Sequence, residues 1–233
     1  MQAIVLAGGL GTRLRGVVPD LPKPMAPVAG RPFLAWVLDE LVDAGFVQVV
    51  LAVGYRHEVI RGHFRDAYRG LPLRYAIEAQ PLGTGGAIRQ AAALAAPGPL
   101  FVLNGDTFLE LDHRVMLAAH EAGGEQMTVA ACRVDDVGRY GALVVEQGHI
   151  RGFAEKGGSG PGLINGGTYL LSDALRRQLP ADEAYSFEQR VLVGALNEIR
   201  PAVHEARGLF IEIGVPEDYA RVQTLLGARR RDA

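Results

Sequence analysis

The feature that most constrains the fold is a short apolar segment near the start of the chain that runs directly into glycines. Residues 2–7 read QAIVLA, and Gly8, Gly9 and Gly11 follow. A short apolar run that glycine ends is typical of a strand buried on both faces of a sheet. Because glycine has no Cβ, the turn after such a strand lets an anion approach the backbone N–H groups. The opening of the chain therefore predicts a buried strand followed by a phosphate-binding turn.

Strand-like and helix-like segments alternate from this point to about residue 125. The strand-like runs are VQVVLAV, LRYAIE and PLFVLNGD. The helix-like segments between them are RPFLAWVLDELVDAG, residues 57–66 and GTGGAIRQAAALA. This alternation is typical of a doubly wound, mainly parallel sheet of the α/β class.

The pattern changes after about residue 125. Short strand-like segments joined by turns follow, namely MTVAACRV, GALVVEQ, HIRGFAEK, LINGGTYLLS and LFIEIG. They predict added, partly antiparallel strands, with helices near residues 172–179, 186–196 and 216–226. We therefore expect a single domain over residues 1–233, with a first half at about 1–125 and a second half at about 126–233.

Composition and charge disfavour several classes of function. The 233 residues carry a net charge of -2 with acids and bases interspersed, so the basic surface typical of nucleic-acid binding is absent. Cys132 is the single cysteine, which rules out an intrachain disulfide, and its apolar neighbours predict a buried thiol. We find neither a signal-peptide pattern nor an apolar run of about 20 residues, so we expect a cytoplasmic protein with no membrane partner.

The residues after the glycines narrow the identity of the anion site. No Gly-Lys-Ser/Thr sequence follows at P-loop spacing. Leu14 occupies the place of the third glycine of a dinucleotide fingerprint, and no acidic residue ends the second strand, which disfavours an NAD enzyme. Arg13 and Lys23 lie in one loop, and Pro22 and Pro24 stiffen the chain around Lys23. A proline-rich turn with a solvated lysine is the alternative, but beside GGLGTR we favour a phosphate site.

The order of short motifs along the chain resembles that of the sugar-1-phosphate nucleotidyltransferases. LAGGLGTRL and LPKPM look like the N-terminal signature of that family. Further motifs follow in the family's order to about residue 226: QPLGTGGAI, LNGD, YGALVVE, FAEK, INGGTYLL and FIEIGVPEDY. The resemblance implies a Rossmann-like, GT-A-like fold whose first half binds nucleotide and whose second half binds sugar. It also implies an enzyme in which a sugar 1-phosphate attacks the α-phosphorus of a nucleoside triphosphate, releasing pyrophosphate and forming a nucleotide sugar.

A narrower resemblance concerns the substrates. PKPMAPVAGRPFLAWVLDEL, with INGGTYLL and GVPEDY, looks most like the D-glycero-α-D-manno-heptose 1-phosphate guanylyltransferases. It implies GTP and that heptose 1-phosphate as substrates, and a product used for capsule, S-layer or lipopolysaccharide glycans.

Two alternatives to this reading stay open. One is the same chemistry with UTP, CTP or dTTP and a hexose 1-phosphate. The other is a regulatory subunit that binds nucleotide sugar without catalysis, against which the presence of Arg13, Lys23 and Asp106 together argues. The sequence does not determine the oligomeric state, so a homo-oligomer is also left open.

The resemblance assigns roles to residues that match family motifs. Arg13 and Lys23 are the implied catalytic residues, because they would neutralise phosphate charge during the transfer. Gln80 and Gly85 match contacts to the nucleobase. The full set of implied nucleotide-binding residues is Leu6, Ala7, Gly8, Gly9, Gly11, Thr12, Arg13, Gln80, Gly85, Asn104 and Gly105. The implied sugar-phosphate-binding residues are Gly141, Glu155, Lys156, Asn165, Gly166 and Thr168.

Two acidic residues are the expected ligands of Mg²⁺. Asp106 ends PLFVLNGD at the carboxyl end of a predicted strand, the edge where open α/β sheets bind ligands. A carboxylate facing a triphosphate is repelled unless a cation lies between them, and Mg²⁺ takes one or two carboxylates together with phosphate oxygens. Glu212 stands where the family usually carries a second metal-binding aspartate, and it is one methylene longer. An outward-facing strand glutamate is the alternative for Glu212.

Overall fold

The fold combines one large sheet with helices on both of its faces. A computed structural model describes residues 1–9, 11, 14, 16–154, 157–181 and 184–232, the residues from 229 onward through their backbone alone. The strands are β1 Gln2–Leu6, β2 Pro27–Val28, β3 Arg31–Pro32, β4 Gln48–Val53, β5 Ala67–Tyr68, β6 Leu71–Ile77, β7 Leu100–Asn104, β8 Thr107–Leu109, β9 Met127–Val134, β10 Leu143–Glu146, β11 His149–Phe153, β12 Gly162–Leu171, β13 Ala202–Ala206 and β14 Phe210–Glu212. The α-helices are α1 Phe33–Asp43, α2 His57–Phe64, α3 Gly83–Ala92, α4 His113–Gly123, α5 Asp173–Arg177, α6 Leu196–Ile199 and α7 Pro216–Asp232. A 3₁₀ turn at Lys23–Met25 and a π-helix at Glu188–Val193 complete the described elements.

Ten strands form the main sheet, in the order β10-β11-β13-β9-β12-β7-β1-β4-β6-β5. Strands β7, β1, β4 and β6 are parallel neighbours, as a doubly wound sheet requires. Strand β12 is antiparallel to both β7 and β9, whereas β13 is parallel to β9. The predicted mainly parallel sheet with added antiparallel strands is thus confirmed.

Two sequence-based expectations for the second half were wrong in detail. The segment Phe210–Glu212 does not join the main sheet; it pairs antiparallel with β8 in a separate two-stranded sheet. The single helix expected at 186–196 is divided into the π-helix and α6. The π-helix ends at Gly194, whose N–H donates to the carbonyl oxygen of Gln189 at 2.9 Å.

The sheet is buried on both faces, which explains the continuous apolar sequence of its first strand. Ala3 and Val5 belong to the core layer that includes residues of α1, α2, α4 and α7. Ile4 belongs to the opposite layer, which includes residues of α3, α5 and the π-helix. Cys132 is 2% exposed, which confirms the buried thiol that its apolar neighbours predict. Burial raises the pKa of this thiol to about 12. Within the described residues, no helix has both the length and the apolar character needed to cross a bilayer.

His113 makes the stability of the fold depend on pH. Its ring is 2% exposed and packs edge-on against Phe46 and Phe101, with centroid distances of 5.1 and 5.4 Å. Burial lowers the pKa of His113 from 6.5 to about 4. Since the unfolded chain binds the proton more tightly, the stabilisation is complete above about pH 6.5 and is lost as pH falls towards about 4.

We predict that His113→Leu reduces the loss of stability on acidification, because it removes the buried titrating group. The measurement is the free energy of unfolding in urea at about pH 7 and at about pH 5. Between these two pH values, the free energy of unfolding should fall more for the wild-type chain than for the variant. His63→Leu, at an exposed position of α2, is the matched control and keeps the wild-type pH dependence. Equal losses for wild type and His113→Leu would contradict the assignment.

Candidate active site

A cavity of about 580 Å³ opens at the carboxyl edge of the four parallel strands. This first cavity lies where α/β sheets bind ligands, since the loops after β1, β4, β6 and β7 meet there. Its lining residues are Leu6, Gly8, Gly9, Lys23, Pro24, Gly54, Tyr55, Glu78, Ala79, Gln80, Pro81, Gly83, Thr84, Ala87, Asn104, Asp106 and Glu188.

The turn after β1 is shaped by close approaches that only glycine permits. A Cβ on Gly8 would lie 2.7 Å from Oε1 of Glu78 and 3.1 Å from the backbone N of Gly54. Gly11 has a φ of +57°, and its Cβ would lie 2.9 Å from the Cβ of Lys23. The glycines therefore let the turn pack against the neighbouring strand ends and against the segment that carries Lys23.

Lys23 and Asp106 form an ion pair in the wall of this cavity. Lys23 begins the 3₁₀ turn, and its Nζ lies 2.5 Å from Oδ2 of Asp106. The hydroxyl of Thr107 donates to Oδ1 of Asp106 at 3.4 Å. The Lys23 side chain is 14% exposed and that of Asp106 is 33% exposed, so both charges face the cavity from a largely buried position. Two residues that the sequence singled out separately are thus in direct contact.

The predicted nucleotide-binding residues fall into three groups. Those that line the first cavity are Leu6, Gly8, Gly9, Gln80 and Asn104. Those that do not line it are Ala7, Gly85 and Gly105, which directly precede or follow lining residues in sequence, and Gly11, which packs against Lys23. Thr12 and Arg13 lie outside the described residues.

Glu78 is a lining residue that sequence reasoning missed. It directly follows β6, and its Oε2 accepts a hydrogen bond from the backbone N–H of Leu82 at 3.0 Å. Burial raises the pKa of Glu78. The sequence signal is in LRYAIE, where a carboxylate ends an apolar strand at the binding edge of the sheet. The neighbouring motif QPLGTGGAI instead assigned the nucleobase contact to Gln80.

The glycines of QPLGTGGAI make room for another segment of the chain. A Cβ on Gly85 would lie 2.0 Å from Cε2 of Tyr185, and one on Gly83 would lie 2.5 Å from the Tyr185 carbonyl oxygen. The backbone N–H of Gly85 donates to that same oxygen at 2.9 Å, and the N–H of Tyr185 donates to the carbonyl oxygen of Leu82 at 3.0 Å. The first turn of α3 is therefore covered by the segment that leads into the π-helix.

A second cavity of about 400 Å³ adjoins the first. Asn104, Asp106 and Glu188 line both cavities, so a ligand in one would meet a ligand in the other beside the Lys23–Asp106 pair. The remaining residues that line the second cavity are Thr107, Arg139, Tyr140, Asn165, Gly167, Tyr169, Phe210, Glu212, Gly214 and Val215.

The predicted sugar-phosphate-binding residues are only partly gathered at the second cavity. Asn165 lines it, and its Nδ2 donates to the hydroxyl of Tyr169 at 2.8 Å. The described residues that do not line it are Gly141, Gly166 and Thr168, the last of which is 3% exposed. Glu155 and Lys156 lie outside the described residues.

Arg139 supplies a positive charge to the second cavity that sequence reasoning did not identify. Its guanidinium donates to both carboxylate oxygens of Asp218, at 3.1 and 2.5 Å. This hydrogen bonding raises the pKa of Arg139, and Asp218 is 6% exposed at the start of α7. The neighbouring YGAL segment gave no sign of this role, because the partner Asp218 lies in a helix far along the sequence.

Asp106 and Glu212 are brought to one wall of the second cavity by the pairing of β8 with β14. Glu212 stands opposite Thr107, and the N–H of Ile213 donates to the backbone carbonyl oxygen of Asp106 at 3.0 Å. A Cβ on Gly214 would lie 2.7 Å from Oε1 of Glu212, so the absence of a side chain there accommodates the longer carboxylate. The described part of the chain holds no group of three or more metal-ligating side chains, but two carboxylates suffice for a cation that also binds phosphate.

The chain matches the family model described as Nucleotidyl transferase over residues 2–227. The chain belongs to the nucleotidyl transferase family. Nucleotidyltransferases of this family generally use a divalent metal, and the two oxygen-donor side chains at the cavity wall are of the type that such a cation prefers.

Two similar relatives carry the name D-glycero-alpha-D-manno-heptose 1-phosphate guanylyltransferase. The relative from Aneurinibacillus thermoaerophilus is 39% identical over 223 residues, which cover 96% of this chain and 97% of the relative. The relative from Campylobacter jejuni subsp. jejuni serotype O:2 is 40% identical over 220 residues, which cover 94% of this chain and 97% of the relative. These nucleotidyl transferases match the chain along nearly their whole length.

Solved structures give the same fold. HddC from Yersinia pseudotuberculosis, solved in complex with GMP-PN, superposes with a TM-score of 0.85 at 34% identity, covering 97% of this chain and 99% of that one. UDP-glucose pyrophosphorylase from Acinetobacter baumanii superposes with a TM-score of 0.82 at 19% identity, covering 99% and 97%, and supports the fold alone.

We predict that Gly85→Ala destabilises this nucleotidyl transferase by about 1–3 kcal/mol, because the added methyl overlaps the ring of Tyr185. The measurement is the free energy of unfolding in urea. The matched control is Gly62→Ala on α2, where nothing lies within 4 Å of the added Cβ. That control is expected to be neutral or stabilising by up to about 1 kcal/mol. Identical unfolding of the two variants would contradict the packing described for Tyr185.

Proposed function

We propose that the chain transfers the guanylyl group of GTP to D-glycero-α-D-manno-heptose 1-phosphate, releasing pyrophosphate and forming the GDP-heptose. The observation that carries the proposal is the Lys23–Asp106 pair at the junction of two adjoining cavities. Group transfer between two bound substrates needs the reacting groups to meet at one place, and here a lysine can neutralise phosphate charge while a carboxylate can hold a cation. The similarity to the two heptose 1-phosphate guanylyltransferases described above supports the choice of substrates.

In this proposal GTP occupies the first cavity and the sugar 1-phosphate occupies the second. The attacking oxygen is already an anion, so no strong general base is needed, and the protein's main task is to align two negatively charged groups. Lys23 would neutralise the α-phosphate or the attacking phosphate as a point charge. Arg13, which follows β1 in the sequence, would bind the β- and γ-phosphates and stabilise the departing pyrophosphate.

We further propose Mg²⁺ as the divalent metal. Asp106 and Glu212 would hold it, since the pairing of β8 with β14 brings their backbones together and oxygen ligands suit this cation. Bound there, Mg²⁺ would offset negative charge on the phosphate oxygens. The metal would then share the charge of Asp106 with Lys23, and Lys23 could donate to phosphate oxygen.

Glu78 is the residue that we propose to select guanine. Guanine presents two neighbouring donors, its N1–H and its exocyclic amino group, and an ionised carboxylate is an acceptor-only group. Adenine presents an unprotonated ring nitrogen beside its amino group, so it offers a carboxylate only one of these two donors. Since Glu78 is half-buried and lines the first cavity, a base without these two donors would leave the carboxylate with the Leu82 N–H but with fewer hydrogen bonds than guanine supplies.

The direct test is to incubate the protein with Mg²⁺, D-glycero-α-D-manno-heptose 1-phosphate and each nucleoside triphosphate separately, and to quantify pyrophosphate. We expect release with GTP. Release with UTP, CTP or dTTP instead would keep the reaction class and overturn guanylyl specificity. Turnover with mannose or glucose 1-phosphate alone would overturn the heptose assignment, and nucleotide-sugar binding without any turnover would point to a regulatory subunit.

We predict that Asp106→Asn and Lys23→Ala each lower kcat by at least about two orders of magnitude with the fold intact, because each removes a charge beside the reacting phosphates. The measurements are pyrophosphate release and thermal unfolding. Asp66→Asn, an exposed position of the same residue type, is the control and should retain wild-type turnover. Near-normal activity of either variant would remove that residue from the mechanism.

We predict that Glu78→Gln lowers kcat/KM for GTP by about 10- to 100-fold and narrows the preference for GTP over ATP, because an amide cannot accept both guanine donors. The measurement is kcat/KM for both nucleotides at saturating sugar 1-phosphate. Glu58→Gln, at an exposed position of α2, is the matched control. An unchanged GTP-to-ATP ratio would show that guanine is selected elsewhere.

A further inference from the structure

Glu188 occupies a position that the roles described so far do not use. Only three of the described residues line both cavities, and Glu188 joins Asn104 and Asp106 in that set. It begins the π-helix directly after the segment that covers α3. A carboxylate at this junction stands close to where the phosphates of both substrates would meet.

One of its carboxylate oxygens is held firmly by the protein. The hydroxyls of Thr84 and Ser186 both donate to Oε2 of Glu188, at 2.7 and 3.1 Å. Thr84 in turn accepts a hydrogen bond from the backbone N–H of Phe187 at 2.8 Å. No group in the described part of the chain makes a hydrogen bond to the other oxygen, Oε1. The side chain is therefore positioned, with one acceptor oxygen left over.

The chemistry of the substrates limits what that oxygen can bind. Phosphate oxygens carry negative charge and repel a carboxylate, whereas ring and ribose hydroxyls are donors that a carboxylate accepts strongly. Glu188 is half-buried, so a substrate hydroxyl that donates to this oxygen gains more than it would in bulk water.

The neighbours of Glu188 favour the sugar over the ribose. Thr84 lines the first cavity and not the second, so the anchored oxygen is held from the nucleotide side. On the other side, the ring of Phe187 packs against that of Tyr169 at a centroid distance of 5.2 Å. Tyr169 and its partner Asn165 line the second cavity only. Burial is the largest cause that raises the pKa of Tyr169, and the negative charge of Glu188 is the next largest. The Glu188 carboxylate therefore lies close to Tyr169 in the wall of the second cavity.

We propose that Glu188 determines sugar specificity by accepting a hydrogen bond through Oε1 from a ring hydroxyl of the sugar 1-phosphate. This inference rests on the proposed function, because it assumes a sugar 1-phosphate in the second cavity. Since Tyr185 and Thr84 tie the same segment to the first turn of α3, the contact also joins sugar recognition to a wall of the nucleotide cavity.

The test is a cycle that combines Glu188→Ala with removal of single hydroxyls from the substrate. The probes are mannose 1-phosphate and its 2-, 3- and 4-deoxy analogues, each with GTP and Mg²⁺. We expect Glu188→Ala to lower kcat/KM for mannose 1-phosphate by about 10- to 100-fold while KM for GTP is unchanged. For one deoxy analogue, kcat/KM of the wild-type enzyme should fall by a similar factor relative to mannose 1-phosphate, whereas kcat/KM of the variant should be the same for both sugars. The reason is that the two changes remove the same hydrogen bond.

Controls separate this contact from a loss of folding. Glu198→Gln, an exposed glutamate on α6, should behave as wild type. Thr84→Val removes one hydrogen-bond donor to Oε2 but keeps the carboxylate, so it should lower kcat/KM for mannose 1-phosphate less than Glu188→Ala does. If Glu188→Ala unfolds at a lower temperature than wild type, the same cycle is run with Glu188→Gln.

Two outcomes would overturn the inference. One is additivity, in which every deoxy analogue lowers kcat/KM of the variant by the same factor as kcat/KM of the wild-type enzyme. The other is non-additivity with 2′-deoxy-GTP or 3′-deoxy-GTP in place of the sugars, which would assign the contact to the ribose. The cycle is also measured as Kd by calorimetry with a non-reacting GTP analogue. If the wild type releases no pyrophosphate, the proposed function fails while this binding cycle still decides the role of Glu188.

Discussion

The ion pair between Lys23 and Asp106 is the interaction on which the arrangement of the site depends. It joins the loop after β1 to the end of β7, two neighbouring parallel strands whose residues here are 83 positions apart in sequence. Opposite charges at 2.5 Å stabilise each other where either alone would be costly to bury in part. Because this pair also stands where the two cavities meet, the charges that hold the loop in place are the ones available to phosphate and to a metal.

Glycines around the site serve mainly to admit neighbouring groups. A carboxylate oxygen of Glu78 occupies the space beside Gly8, the ring of Tyr185 occupies the space beside Gly85, and the carboxylate of Glu212 occupies the space beside Gly214. In each case a Cβ would lie within 3 Å of the other group, closer than real contacts allow. The motifs that resemble ligand-binding signatures thus also let Glu78 and Glu212 reach the cavity walls and let Tyr185 pack against the first turn of α3.

Some functional residues could be predicted from the sequence because their signal is local. An apolar strand ended by glycine or by Asp106 identifies the binding edge of the sheet without reference to any other segment. Glu78 carried the same local signal as Asp106, because it ends the apolar strand LRYAIE, whereas Arg139 and Glu188 gave no such signal. The roles of Arg139 and Glu188 depend on Asp218 and Thr84, which lie 79 and 104 residues away. Charged residues in short strands and turns look like ordinary solvated surface until such partners are known.

The sequence by itself determined the class of the fold and the edge of the sheet where ligands bind, because the periodicity of apolar residues and the placing of glycines are properties of neighbours along the chain. The tertiary structure decided which polar side chains share a cavity. It placed Lys23 against Asp106, set Glu212 beside the same strand end, and left one oxygen of Glu188 facing a junction of two cavities. These are contacts between distant segments, and they depend on packing that no local pattern of residues encodes.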